Sequence, residues 1–168
     1  MPIIYLSPST QENNYYVSGG TEEQYMNLLA DKMIPYLDAS GIRYVRNTPD
    51  MTAASSIAAS NAGNYDLHLA LHSNAAPEGR YGQARGSIVF YYPGSAQGQE
   101  AAQLIANGLK AIYPLPNLVR AQPTTAIGEV RRVRAPSVFL ELAFHDNEAD
   151  AAWIKNNLDA VARSIVLS

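Results

Sequence analysis

Ser137-Val138-Phe139-Leu140-Glu141-Leu142-Ala143-Phe144-His145-Asp146-Asn147 is the stretch whose reading decides the fold. Its first eight residues are almost continuously apolar, which predicts a strand covered on both faces. His145-Asp146-Asn147 then breaks the run into a polar turn. Glu141 lies inside the apolar run. Burying a carboxylate there is costly unless a cation or hydrogen bonds compensate. Packing gives no reason for an acid at that point, so Glu141 is read as a functional group.

Working outward, residues 3–6, 42–45, 65–72 and 86–92 (GSIVFYY) also read as strands, the last rich in β-branched and aromatic residues. Between them lie helical patterns. Thr21 is placed to cap a helix with Gln24 three residues on. Tyr25, Leu28, Leu29, Met33, Tyr36 and Leu37 form its apolar stripe, Pro35 lies inside it, and Gly41 ends it. Asp50 or Thr52 caps an alanine-rich helix to about residue 61, and residues 97–112 give a third. Residues 117–126 read as irregular and residues 127–133 as a weak strand. Asn147, with Asp150 three positions later, caps a last helix. The alternation predicts an α/β fold, a single mixed, mostly parallel sheet flanked by helices on both faces, in one domain spanning residues 1–168.

Composition sets the outer limits. A chain of 168 residues can bury about 70% of its unfolded surface without staples. A net charge of −3 gives no reason to expect nucleic acid or an anionic membrane as partner. The chain has no cysteine, which excludes disulfides and thiolate metal sites. No apolar run is long enough to span a membrane. The first residues, Met1-Pro2-Ile3-Ile4-Tyr5-Leu6, lack the basic region and length of a signal peptide. The expectation is export by another route, release by a phage, or an excised domain.

In sheets of this kind, functional groups gather at the carboxyl ends of the strands. The loop at residues 7–12, His72 and Glu141 fall there, and Glu23 sits in the first helical turn on the same side. One imidazole and two carboxylates at one rim suit a hydrolytic metal site. Each also has a plainer reading. Glu23 can answer the helix dipole, and His72 can be a hydrogen-bonded core histidine. His68 is four residues from His72, about 13 Å along a strand, too far to share an ion, and takes a core or supporting role. His145, in the turn, is expected in solvent. Phe90, Tyr91, Tyr92, Tyr15 and Tyr16 could stack on sugars, although strand aromatics are more often core. The chain has no GxSxG elbow and no phosphate loop, and Ser73 points to the opposite face from its neighbour His72.

Four segments together resemble the zinc-dependent N-acetylmuramoyl-L-alanine amidases of the Amidase_3 type. Glu23-Gln24-Tyr25-Met26-Asn27-Leu28 resembles that family's E-x-x-x-N-L, whose Glu binds zinc. Asn61-Ala62, Tyr65-Asp66-Leu67 and Leu71-His72-Ser73-Asn74-Ala75 are similar to its AN…aDl…iHaNa, whose His binds zinc. Gly86-Ser87-Ile88-Val89-Phe90-Tyr91 resembles its G-x-x-x-[YF]-[YF] strand. Residues 136–147 resemble PavLvE-x-g-F-x-x-N, whose Glu is the catalytic carboxylate.

The resemblance implies hydrolysis of the amide between N-acetylmuramic acid and L-alanine in peptidoglycan, at the bacterial cell wall. It implies one zinc ion held by Glu23 and His72, with Glu141 as general base. One position departs. The family's first strand ends in D-P-G-H-G, and its His is the third ligand. Here the strand ends Ser7-Pro8-Ser9-Thr10-Gln11-Glu12, with Thr10 in the His position. Gln11 is the expected replacement donor and Glu12 the alternative. Oxygen donors shift preference toward harder metals. Asn74 and Arg131 are expected to touch substrate, peptidoglycan or muropeptides. Two rival readings are a non-catalytic wall-binding relative that lacks the first histidine, and a zinc hydrolase acting on another amide.

Overall fold

Alternation along the strands decides which face of the sheet each side chain meets. The computed structural model describes all residues, Met1–Ser168. Six strands form one sheet: β1 Ile3–Pro8, β2 Arg43–Arg46, β3 Leu67–Asn74, β4 Ser87–Tyr91, β5 Val119–Pro123 and β6 Ser137–Phe144. Their order is β2-β1-β3-β6-β4-β5. Every pairing is parallel except β4 with β6. The helices are α1 Glu22–Ala39, α2 Ala53–Ala62, α3 Ala96–Lys110, α4 Gly128–Arg131, α5 Glu148–Asn156 and α6 Leu158–Leu167. The expected mixed, mostly parallel α/β sheet is the one observed. No helix is long and apolar enough to cross a membrane.

The two faces differ in chemistry. Ile4 and Leu6 of β1, Leu69 and Leu71 of β3, and Val138, Leu140 and Leu142 of β6 meet α1, α3, α5 and α6 in a cluster of 27 buried apolar residues. The alternate positions face α2 and α4, where only Ala70, Val130 and Phe139 make an apolar cluster. That second face also carries Ser7, His68, His72 and Glu141 by strand parity. Burial of the large core anchors the sheet and leaves the other face free for polar groups.

Several local readings need correction. Residues 119–123 form a strand rather than irregular chain, because Val119 to Pro123 pair along the full length of β4 and Val119 is buried. Residues 128–131 form a short helix rather than a strand, with Glu129 and Val130 turned inward. The last helix is two, divided at Asn157. Caps follow the sequence more closely. Thr21 accepts from Gln24 N, Thr52 rather than Asp50 caps α2, and Asn147 accepts from Asp150 N.

The buried stripe of α1 is Glu22, Met26, Leu29, Ala30, Met33 and Leu37. It is rotated from the expected stripe, leaving Leu28 exposed and Tyr25 and Tyr36 half-buried. Glu22 is one helical turn before Met26 and shares its face; Glu23 is about 100° further round.

Just beyond Glu141, β6 gains an extra residue against β3: His72 pairs with Glu141, but Asn74 pairs with Phe144. Ala143 takes the strain with φ 57°, the only non-glycine residue at positive φ. Left-handed backbone costs an L-residue about 1 kcal/mol. Ala143→Gly is therefore expected to raise the unfolding free energy by up to about 1 kcal/mol, and Ala143→Val to lower it by more than that. Urea denaturation of the two variants beside the wild type measures both.

Candidate active site

His72 is 6% exposed, with its ring stacked on Phe139 at 4.2 Å between centroids. That stacking fixes the ring plane, so its two nitrogens point at different neighbours. Nδ1 lies 2.7 Å from Glu22 Oε2. Nε2 faces Glu129 Oε1 at 3.7 Å and has no hydrogen-bond partner. Glu22 is itself buried, and its Oε1 accepts from Asn14 Nδ2 at 3.1 Å.

Glu141 stands beside His72 in the strand register, on the same face. Its Oε2 is out of solvent and without a partner. Burial pushes the Glu141 carboxyl up to about 8; the Glu22 charge adds to the rise and His72 opposes it. An acid poised there can take and return a proton near neutral pH.

Burial alone would lower the His72 pKa, but the carboxylates of Glu129 and Glu22 on either side of the ring, the second hydrogen-bonded to it, carry it to about 9. Burial likewise opposes ionisation of Glu129, yet its bond to His68 and the nearby His72 ring hold the carboxyl down at about 2. Glu22 is also held below its ordinary value: desolvation is outweighed by its bond to His72 and that ring's charge.

The expected residues are brought together unevenly. His72 and Glu141 stand side by side in the register of β3 and β6. Glu23 does not reach His72; Glu22 occupies that place, because it lies on the buried stripe. Gln11 and Glu12 are exposed. Gln11 Oε1 accepts from Asn14 Nδ2, the group that also donates to Glu22. Thr10, Gln11, Glu12, Asn47, Asp50, His72 and Glu129 border a polar cavity of about 400 Å³. Asn74 Oδ1 accepts from Ala75 N, and the residue lines a groove of about 480 Å³ with Arg80, Gln83 and Phe144. Arg131 is exposed on the last turn of α4.

Two histidines need fuller description. His145 is buried rather than in solvent. Its Nδ1 accepts from Ser73 Oγ at 2.8 Å, Ser73 accepts from the Tyr16 hydroxyl at 2.9 Å, and the Tyr16 ring stacks on His145. This clamp ties the loop before α1 to β3 and places Tyr16 in the core, away from any sugar. His68 is fully buried, with Nε2 donating to Glu129 Oε2 at 2.8 Å and Nδ1 accepting from Ser60 Oγ at 2.9 Å. Glu129 was not anticipated from sequence, since the strand assigned there concealed it. Its signal was the acid set among Ile127, Gly128 and Val130.

A divalent ion is tested here by the donor set. No three of the His, Asp and Glu side chains stand in a ready ligand arrangement. Glu22 and His72 instead close on one another at hydrogen-bond distance. Glu22 and His72 are two donors of the kind zinc takes, one short of the three protein ligands of a catalytic zinc site. The pH dependence of the metal-free protein follows. His72 and Glu141 titrate higher folded than unfolded, so their stabilising contributions are complete below their ordinary values and vanish as pH rises through about 9 and about 8. Glu129 and Glu22 titrate lower, so their contributions vanish on acidification below the ordinary carboxylate range. The metal-free melting temperature is expected to peak near about pH 5 and fall toward pH 9, and Glu141→Gln should flatten the alkaline fall. Thermal melts with a chelator present, across that range, check this.

A family profile described as N-acetylmuramoyl-L-alanine amidase matches residues 9–168. No curated protein matches the chain. Among solved structures, an N-acetylmuramoyl-L-alanine amidase from Clostridium difficile 630 superposes with TM-score 0.86 at 17% identity, covering 99% of this chain and 93% of that one. AmiC2 of Nostoc punctiforme gives 0.84 at 13% identity, with 99% and 93% covered. The catalytic domain of the CD27L endolysin targeting Clostridia difficile gives 0.80 at 22%, with 99% and 95% covered. At these identities the superpositions establish a common fold.

Proposed function

The chain belongs to the N-acetylmuramoyl-L-alanine amidase family and is a peptidoglycan amidase, and from that premise we propose that it works as a divalent-metal hydrolase built on Glu22, His72 and Glu141. The observation that carries this reading is the unpartnered, buried Oε2 of Glu141 beside His72. A half-buried acid with an idle oxygen out of solvent serves no packing purpose, and a pure wall-binding module has no use for one.

Glu22 and His72 Nδ1 would hold the ion. Zinc is the first candidate, and an oxygen donor in place of an imidazole widens the range toward harder cations. Gln11 and Glu12, on the loop over the cavity, are the candidates for a further oxygen donor. When bound, the ion supplies acidification of a water and polarisation of the scissile carbonyl. Glu141 takes the proton of the attacking water and delivers it to the leaving nitrogen of L-alanine, cycling between the two protonation states that its raised pKa makes accessible. Phe139, stacked on His72, keeps the imidazole from turning away. The Asn74 groove runs from the same strand ends, and Asn74 and Arg131 are proposed to meet the sugar and peptide parts of a muropeptide. The place of action is the cell wall.

Peptide release from a muropeptide, coupled to metal analysis of the purified protein, tests the reading. Glu141→Ala is expected to lower turnover by roughly 10²–10⁴-fold with metal content unchanged. Metal lost along with activity would recast Glu141 as a ligand. Glu22→Ala is expected to lose the ion and Glu23→Ala to keep it. Gln11 and Glu12, replaced singly, separate in the same way, because only a ligand weakens retention. Absence of both bound metal and metal-restored cleavage overturns metal dependence.

A further inference from the structure

Residues 75–86 carry the chain from β3 to β4 through two tight turns, with Arg80 N donating to Pro77 O at 3.0 Å and Gln83 N to Arg80 O at 3.2 Å. Gly79 and Gly82 take the positive φ of these turns, 86° and 79°. The turn after β6 holds the loop in place. Asp146 Oδ2 accepts from Ala76 N at 3.2 Å and from Gly82 N at 3.0 Å, so one carboxylate oxygen joins both feet of the first turn. Asn147 Nδ2 donates to Gly82 O at 2.8 Å, and Asp150 accepts from Arg85 Nε at 2.9 Å and Gly86 N at 3.0 Å. The Arg80 side chain is left over. Ion pairs engage Arg46 and Arg85 alone among the arginines, and Arg80 is exposed. It lines the groove of about 480 Å³ with Asn74, Pro77, Gln83, Ala84 and Phe144, and is the only charged residue there.

We propose that this groove is a carboxylate subsite: the Arg80 guanidinium receives a free carboxylate on the peptide part of the muropeptide, about two residues from the scissile amide. The inference rests on the site reading of the preceding section and assigns the direction of the substrate across the strand ends. Reach is the first support. The groove begins where Asn74 pairs with Phe144, directly past the pairing of His72 with Glu141. Along β3 those two steps are roughly 7 Å apart, the length of about two residues of extended peptide. Sign is the second. The sheet order puts the other polar cavity on the opposite flank of β3, by β1 and β2, where Glu12, Asp50 and Glu129 border it with a single imidazole. A carboxylate is repelled by those acids and drawn to Arg80, so the two flanks orient a peptide that carries one. Form is the third. A guanidinium presents a planar fork that matches a carboxylate with two hydrogen bonds. Its loop is already held by Asp146, so binding has little ordering left to impose.

The plain alternative, an arginine that only solvates the loop, predicts indifference to the charge of the substrate. Two synthetic N-acetylmuramoyl peptides test this, identical except for a free carboxylate or a carboxamide on the second residue of the peptide. The wild type is expected to favour the carboxylate about 10-fold in kcat/KM, the worth of one hydrogen-bonded charge pair. The difference should fall on KM, because the contact lies outside the reacting atoms. Arg80→Gln is expected to treat the two peptides alike, and Arg80→Lys to keep part of the preference. Equal kcat/KM for both peptides in the wild type overturns the proposal, as does a preference that survives in Arg80→Gln. Binding of the same pair to Glu141→Ala, read by calorimetry, separates this inference from the reading it rests on. Tighter binding of the carboxylate peptide there supports the subsite, and equal binding overturns it. Cleavage of neither peptide by the wild type, with metal supplied, defeats the metal-hydrolase reading instead.

Discussion

An imidazole held out of water between two carboxylates is the constraint on which the rest of this structure depends. In the metal-free protein Glu22 and Glu129, flanking the ring, raise the His72 pKa to about 9 against the opposing effect of burial. An isolated charge at that depth would cost several kcal/mol, so each partner must be in place. Glu22 requires the first turn of α1 to lie over the end of β3, which the Tyr16-Ser73-His145 clamp and the Thr21 cap secure. Glu129 requires α4 to pack on β6, with Ser137 Oγ donating to Val130 O. Glu141 requires β6 to sit next to β3 in one register, and the bulge at Ala143 ends that register just after it.

The sheet separates these demands from ordinary stability. One face carries the large apolar core; the other carries Ser7, His68, His72 and Glu141 over a thin cover of α2 and α4. Even the cover is polar where it meets the site: α2 buries Ser56 and Ser60, which bond Asn47 and His68. A polar face of this depth is stable because nearly every group on it is paired, and the atoms left unpaired lie at or beside the proposed chemistry.

Much of this was legible in the sequence. The run at residues 137–144 gave the central strand and its acid, and Thr21 and Asn147 announced their helices, because hydrophobic runs and caps are local signals. Three features were hidden because they depend on tertiary geometry. Glu22 and Glu23 are adjacent acids, and only the rotation of α1 against the sheet decides which one turns inward. Glu129 lay in a segment whose short helix forms because α4 packs on β6, against the strand-like look of Ile127 and Val130. His145 reads as a turn residue, and its burial comes from a loop more than a hundred residues earlier folding over it. The absent histidine at Thr10 was visible from the start. What the sequence could not say is that a carboxylate from α4 stands across the same cavity.

Diffraction from crystals soaked in zinc, with anomalous differences collected at the zinc edge, tests the account most directly. The account predicts one peak within bonding distance of His72 Nδ1 and Glu22, beside Glu141. A peak on the Nε2 side between His72 and Glu129, or none at the strand ends, would contradict it.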